Sequence, residues 1–465
     1  MGVNRFFCMC LCNLCMIALA HAQCFVVDNM RYVSHDGRFV SVSCVRDSVM
    51  AECVRTLHVK STVEHEGEVY TVREIEPEGF SGCNNVEEIV IDSGIERICK
   101  DAFTDCANLR SVRIPSTVFD ISASIFGGDP RLESIVVAPD NQCYDSRDNC
   151  NAIIDKEERK LVSACKNTVI PRGVEVIGAG SFNNCYGLTS LTVPEGVKVI
   201  CAKAFENSKE LRNIELPGSL KQIGWGAFVN TGIERISIPA EVDSIDYGVF
   251  SYCNSLTVID VDKRNRHFIS YDGCNVIVKK KNKELISGCR ESVIPNGVEI
   301  IGYNAFGGTL IRKAVIPRSV KAIAPLAFAG CNGLVEMRVA KDNPYFDSRG
   351  DCNAIIKTDS NSLLVGCVSS VIPCGITEIA PYAFAYVTGR YNESIPPTVK
   401  RIGDYAFYRN KSLIQVVMPP SVESIGMSAF EGCSSLETCF VYGDVVEIAK
   451  NAFKDCVELK NHFLP

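Results

Sequence analysis

The sequence predicts a β-dominated repeat solenoid, and three observations carry the prediction. A phenylalanine recurs on a grid of 22 or 23 residues, a short strand ending in proline follows most copies, and the long gaps in the grid are equal. The grid residues are Phe80, Phe103, Phe126, Phe182, Phe205, Phe228, Phe250, Phe306, Phe328, Phe384, Phe407, Phe430 and Phe453, separated by 23, 23, 56, 23, 23, 22, 56, 22, 56, 23, 23 and 23 residues. A period in this range marks units that stack in one dimension. A chain of 465 residues also exceeds what one core usually holds. With 46% hydrophobic and 22% charged residues it is composed to fold.

Each unit follows the phrase seen from Ile98 to Pro115, ICKDAFTDCANLRSVRIP. Apolar residues alternate in Leu109-Arg110-Ser111-Val112-Arg113-Ile114, which reads as a half-buried strand. The proline after it has no N–H to give a ladder and ends the strand. Two short extended segments per 23 residues cannot bury their apolar side chains alone, so neighbouring coils must do it. A helix of ordinary length has no room; strands are expected on the concave side and short 3₁₀ or one-turn helical pieces elsewhere.

The first 22 residues have Arg5 near the start, an apolar stretch from Phe6 to Ala20 and the small-x-small end Ala20-His21-Ala22, which together read as a secretory signal peptide. The apolar run is too short for a membrane span, and no second run of that length follows. Residues 23–70 carry no repeat and read as an N-terminal cap, with the array over 71–465. Each 56-residue interval holds an extra 33 residues, placing enlarged coils near 139–171, 263–295 and 341–373. Asp145 to Ile154 and Asp347 to Ile356 are near-copies; each runs through a polar turn into a second apolar segment, a hairpin signature. After Phe384 the phrase is lost until Ile395-Pro396, which predicts a bulge or local irregularity.

These repeats resemble the BspA-like branch of the leucine-rich-repeat superfamily over roughly residues 57 to 465. The resemblance implies a right-handed, curved α/β leucine-rich-repeat solenoid and a bacterial surface or secreted protein that adheres to host or neighbouring-cell proteins, matrix components included. In such repeats the column three residues after the phenylalanine holds Asn or Cys. Here it holds Cys83, Cys106, Cys185, Cys253, Cys331, Cys433 and Cys456, with Ser208, Thr231, Thr309 and Asn410 in the same slot. Cys99 and Cys201 take a second small-residue column. These nine read as core thiols. Cys150 with Cys165, Cys274 with Cys289, and Cys352 with Cys367 are each spaced by 15 on hairpin arms, open either to disulfide pairing or to matched burial. Cys44 with Cys53 is a comparable pair in the cap.

Composition and motifs bound the function. A net charge of −7 and the lack of basic runs interleaved with aromatics argue against nucleic acid. There is no phosphate loop, nucleophile elbow or His-Glu-x-x-His, and the histidines are scattered, so no cofactor, metal or catalytic residue is assigned. What remains is a binding surface. Strand positions expected to project from the concave sheet include Ser111, Arg113, Ser190, Thr192, Asn213, Glu215, Arg235 and Ser237, with Val417, Phe440 and Phe463 as an apolar group near the end. Arg349-Gly350-Asp351 is a candidate receptor tripeptide, and Asn392 and Asn410 lie in glycosylation sequons. The expected function is non-enzymatic binding of a protein ligand at the cell surface or in the medium. The alternatives are a periplasmic scaffold and a glycan-processing accessory with clustered acids.

Overall fold

A computed structural model describes residues 24–34, 38–45, 55–389, 391–442, 447–459 and 461–462. The signal-like segment, Cys53 and Phe463 lie outside the described residues. The chain divides into two compact units, Met1–Val174 with Gly178–Gly187, and Glu175–Ile177 with Leu188–Pro465.

In the first unit Cys24–Val27, Met30–Ser34 and Phe39–Cys44 form an antiparallel meander. Phe39–Cys44 then pairs in parallel with Glu68–Ile75, and the ladder continues through Arg97–Ile98 and Asp120–Ile121. A second parallel sheet runs Thr56–Val59, Glu88–Ile91, Ser111–Ile114, Ser134–Val137, so parallel pairing already begins before residue 71. Each regular coil thus supplies one longer and one two-residue strand. In the longer strands burial alternates, with Val112 and Ile114 inward and Arg113 outward.

The second unit repeats this plan. Its short strands run Val176–Ile177, Val199–Ile200, Gln222–Ile223 and Ser244–Ile245 in parallel. Its longer strands pair as Ser190–Thr192 with Asn213–Glu215, Arg235–Ile238 with Val258–Val261, and Lys313–Ile316 with Glu336–Val339. Tyr391–Ser394, Leu413–Met418 and Thr438–Val441 follow, and the first of these joins with a register shift at Tyr391/Asn392, where the sequence phrase is lost.

The grid phenylalanines are the spine of both units. Phe205, Phe228 and Phe250 are buried and stack with centroids 5.2 and 5.4 Å apart; Phe384, Phe407, Phe430 and Phe453 stack at 5.1, 4.9 and 5.1 Å. These separations sit just above the roughly 4.8 Å spacing of paired strands. One ring per coil at a fixed register must therefore stack. The backbone seconds this, as Phe205 N–H donates to Ala227 O and Phe407 N–H to Ala429 O. Left-handed residues bracket each Ala-Phe turn, for example Lys203 (φ 58°) and Asn207 (φ 63°). Two such residues per turn stop a helix from propagating. Among the described residues the helical pieces are two three-residue 3₁₀ turns, Arg147–Asn149 and Arg349–Asp351.

The enlarged coils are hairpins: Ala152–Asp155 with Lys160–Ala164, Val276–Lys279 with Glu284–Gly288, and Ile355–Lys357 with Ser362–Val365. Their second arms stand in for a phenylalanine turn. Ala164, Gly288 and Gly366 donate N–H to Ser181, Ala305 and Ala383 O, the bond that a grid phenylalanine makes elsewhere. A Cβ on Gly288 would lie 2.1 Å from the Phe306 ring, and one on Gly366 2.2 Å from Phe384. Bare backbone is what lets the next ring seat itself. Each enlarged coil is entered through a buried asparagine (Asn141, Asn265, Asn343). Asn265 donates to Pro239 and Val242 O and accepts from His267 and Phe268 N–H, which uses its full amide capacity, and Asn141 and Asn343 repeat the pattern.

Candidate protein-binding face

Sequence-predicted ligand-facing residues fall on the outward side of the longer strands. In the first unit Ser111 stands between Glu88 and Ser134, and Arg113 between Val90 and Val136. Arg113 is not free: its Nε lies 3.5 Å from Glu88 Oε1. In the second unit Ser190 pairs beside Asn213, Thr192 beside Glu215, Arg235 beside Val258, and Ser237 beside Asp260. All but Ser111 and Val258, which are half-buried, and Glu88, Ser134 and Val90, also half-buried, are exposed among these positions.

The second unit gathers several of them into one depression of about 670 Å³, where Asn213–Glu215 and Arg235–Ile238 are not paired as a ladder. The intervening coil is one residue short, with Thr231 and Ile233 closing the turn after Phe228. Glu215, Arg235, Ser237, Val258 and Asp260 line the floor, and Glu241, Asp262 and Arg264 the rim. Arg264 grips Asp262 through two bonds of 3.0 and 2.7 Å, which holds that carboxyl down at about 2. Thr192 Oγ1 donates to Glu215 Oε2 at 3.2 Å. Arg235 and Asp260 have no ion pair or hydrogen bond within the described residues. Four carboxylates face two guanidiniums here, so the depression is acidic and one cation in it is uncommitted.

Other sequence candidates have structural work. Arg349 makes a two-pronged bond to Asp347 at 2.9 and 2.6 Å, and its third nitrogen donates to Asn361. Arg147 and Asp145 make the same fork, and Asp148 takes the left-handed place of Gly350. Arg349-Gly350-Asp351 is thus a copy of a turn template, with Asp351 exposed beside it. Asn410 is buried and donates to Phe384 O, so its sequon is closed to a glycan in the folded chain. Val417 lies beside Phe440 on adjacent strands, both half-buried.

The described cysteines are free thiols, and the six spaced by 15 stand as thiols rather than as three bridges. Cys165, Cys289 and Cys367 donate to Asn151, Asn275 and Asn353 O, and Cys150 and Cys352 to Ala152 and Ala354 O. Burial raises Cys150 to about 11. The column after the phenylalanine has a physical rule. Cys106, Cys253, Cys331, Cys433 and Cys456 each donate S–H to the phenylalanine carbonyl one coil earlier, at 3.2, 2.9, 3.0, 3.0 and 3.1 Å. Asn410 does the same with its amide at 3.1 Å. Cys83, Cys99, Cys201 and Cys456 are only partly buried.

Sequence reasoning missed Asp129, which sits in that column after Phe126 and is buried. It accepts N–H from Cys106 at 2.7 Å and from Gly127 at 3.1 Å, yet burial pushes its carboxyl up to about 8. The entry asparagines were also missed; the signal was Asn at the same offset before an aromatic residue, Tyr144, Phe268 or Phe346, in all three enlarged coils. Among the described residues no cluster of His, Cys, Asp or Glu is arranged to hold a metal ion, and no helix is long and apolar enough to cross a membrane.

Comparison with known proteins agrees with this architecture. The BspA type leucine rich repeat region matches in six copies across residues 69–151, 162–273, 283–349 and 365–465. No curated protein sequence matches significantly. Similar solved structures include a leucine rich cell surface protein from Faecalibacterium prausnitzii, with 22% identity, 91% of this chain and 96% of that one covered, and a TM-score of 0.45. The pneumococcal vaccine antigen PcpA has 16% identity, 92% and 89% coverage and a TM-score of 0.40. A leucine-rich repeat protein from Bacteroides ovatus has 23% identity, 90% and 94% coverage and a TM-score of 0.38. With its repeat phrase, its parallel short-coil sheets and its stacked phenylalanines matched to that family model over most of its length, the chain belongs to the BspA-type leucine-rich-repeat family.

Proposed function

We propose that the chain is a non-enzymatic interaction module, exported to the cell surface or the medium, that takes a protein ligand on its longer-strand face. The observation that carries this reading is the acidic depression between Glu215 and Arg264, where Arg235 and Asp260 stand uncommitted on paired strands. Backbone positions on a paired parallel ladder are fixed before a partner arrives, which lowers the entropy cost of binding. An excess of carboxylates steers a ligand with a basic patch, and Arg235 offers an anchor for one carboxylate of that ligand. Export rests on the pattern of residues 1–22. Adhesion to host or neighbouring-cell proteins, matrix components among them, is the role that fits a surface member of this family.

Two measurements test the reading. Surface labelling of intact source cells, with medium and periplasm probed in parallel, is expected to find the protein outside; confinement to the periplasm defeats host adhesion and favours an envelope scaffold. Against matrix proteins captured from host cells, Arg235→Glu with Asp260→Lys is expected to cut binding at least tenfold. Unchanged binding in that double variant moves the ligand site off this face.

A further inference from the structure

A different surface of the second unit carries a set of aromatic side chains that the strand-face reading does not use. Tyr252, Tyr303, Tyr382, Tyr386, Tyr405 and Tyr408 converge on the Ala-Phe turns. Tyr382 and Tyr405 stack at 5.0 Å with planes 2° apart; Tyr408 meets Tyr405 edge-on at 5.4 Å and Tyr386 at 5.5 Å. Arg409 lies over the Tyr408 ring. Tyr252 crosses bare backbone toward this group: a Cβ on Gly308 would fall 2.3 Å from its ring, and Gly330 lies by its hydroxyl.

Three features set these tyrosines apart from packing residues. First, Tyr252, Tyr382, Tyr386 and Tyr405 have φ of 61°, 62°, 61° and 57°, in slots that sister coils fill mostly with glycine, asparagine, aspartate or serine, and with a long side chain at Lys203, Leu326 and Arg409. A bulky residue held there is strained, and such strain gathers at functional positions. Second, none of the six phenol hydroxyls has a hydrogen-bond partner within the described residues, so six donors stand together uncommitted. Third, an apolar notch of about 150 Å³ opens beside Tyr382, between Pro325, Leu326, Leu364 and Pro381. A cavity of roughly that size takes a benzene ring.

We propose that this tyrosine strip and its notch bind a proline-rich segment of a partner protein in the polyproline II conformation. Such a segment has free carbonyls and few N–H groups, which suits a surface of phenol and guanidinium donors, and aromatic slots receive its rings. Spacing agrees as well: a polyproline II turn advances about 9.3 Å, close to the roughly 9.6 Å of two stacked coils.

The test uses the full chain with acetylated decaproline, a Gly-Ser peptide of equal length, and a panel of neutral oligosaccharides, read by calorimetry. Decaproline is expected to bind saturably and the Gly-Ser peptide not at all. Tyr405→Asn and Tyr386→Asn are expected to weaken decaproline binding at least tenfold while leaving the melting temperature equal or higher, since Asn tolerates the left-handed backbone. Arg235→Ala is expected to leave it unchanged, which separates this surface from the strand face. Absence of saturable decaproline binding, binding that survives both tyrosine variants, or oligosaccharide binding lost in them would each overturn the proposal.

Discussion

Asp129→Asn should stabilise the first unit, and should do so only where the wild-type carboxyl faces ionisation. Asp129 is buried with its carboxyl raised to about 8, against 3.8 for an unperturbed aspartate. Desolvation is the dominant cause; the N–H groups of Cys106 and Gly127 act against it, and the Asp105 carboxylate adds to it. A carboxyl whose folded pKa is raised contributes stability that is fully present below about 3.8 and lost as pH rises through about 8. At pH 7 the gap from 3.8 is about three units, so keeping the proton in the folded state forfeits at most about 4 kcal/mol, at 1.36 per unit. Partial relaxation around a real carboxylate leaves roughly 1–3 kcal/mol of that. Asparagine has nearly the same shape, keeps an acceptor for Cys106 N–H, and already serves the same column at Asn410. The variant should therefore gain roughly 1–3 kcal/mol over wild type at pH 8 and little at pH 4. Urea unfolding followed by circular dichroism at both pH values measures the difference, and exchange of the Cys106 and Gly127 amides localises it. A gain of equal size at pH 4 and pH 8 would refute the argument, because a change in packing alone does not titrate.

Three further outcomes follow from the coil geometry. Phe205→Ala removes a fully buried ring stacked at 5.2 Å on Phe228; it should cost about 3–5 kcal/mol and fray the adjoining coils, visible as lost amide protection on both sides. Asn265→Ala strips two donors from buried carbonyl partners and two acceptors from N–H groups; a loss of about 2–4 kcal/mol is expected by denaturant unfolding, since each orphaned group costs about 1–3. Cys253→Val removes the S–H donor to the Phe228 carbonyl, which keeps its bond from Thr231 Oγ1 at 3.0 Å, and should cost only about 0.5–1 kcal/mol. Cys253→Ser should lie between that variant and wild type, and the reverse order in melting curves would show that volume alone sets this column.

What was legible in the sequence is what the coil repeats. Phenylalanine spacing is set by strand spacing, so a one-dimensional signal fixed the spine, the alternating strands and the paired arms of the enlarged coils. The cysteine column was legible as a small-residue slot, but its rule was not, because the carbonyl it satisfies belongs to the preceding coil, 25 or 26 residues away. The 15-spaced cysteines, open in the sequence to pairing or to matched burial, owe their regular spacing to repeated hairpins, in which five of the six thiols donate to a backbone carbonyl. Strand-face residues were placed by alternation alone, whereas their gathering into one depression depended on a one-residue deletion after Phe228. The tyrosine group was invisible for a different reason. Four of its members occupy left-handed slots that sister coils fill with many residue types, so no repeat position marks them, and only the fold brings the rings together.

This separation between spine and surface explains how such a chain can change what it binds without losing its fold. The Phe205 to Phe250 stack and the N–H to carbonyl ladder beside it depend on a few positions per coil. The remaining outward positions are free to vary, since surface substitutions away from caps and buried groups usually shift stability by no more than about 0.5 kcal/mol. Enlarged coils extend the same freedom. Because Gly288 and Gly366 reproduce the phenylalanine's ladder bond, a hairpin of 33 extra residues enters without ending the stack. What it does end is the longer-strand sheet, which stops at Val258–Val261 and resumes at Lys313–Ile316. Each such interruption leaves relief on an otherwise even surface, as in the notch beside Leu364 and Gly366. Surface relief in this chain therefore lies where its period is broken, and under the proposed binding function those breaks are the places to look for a ligand.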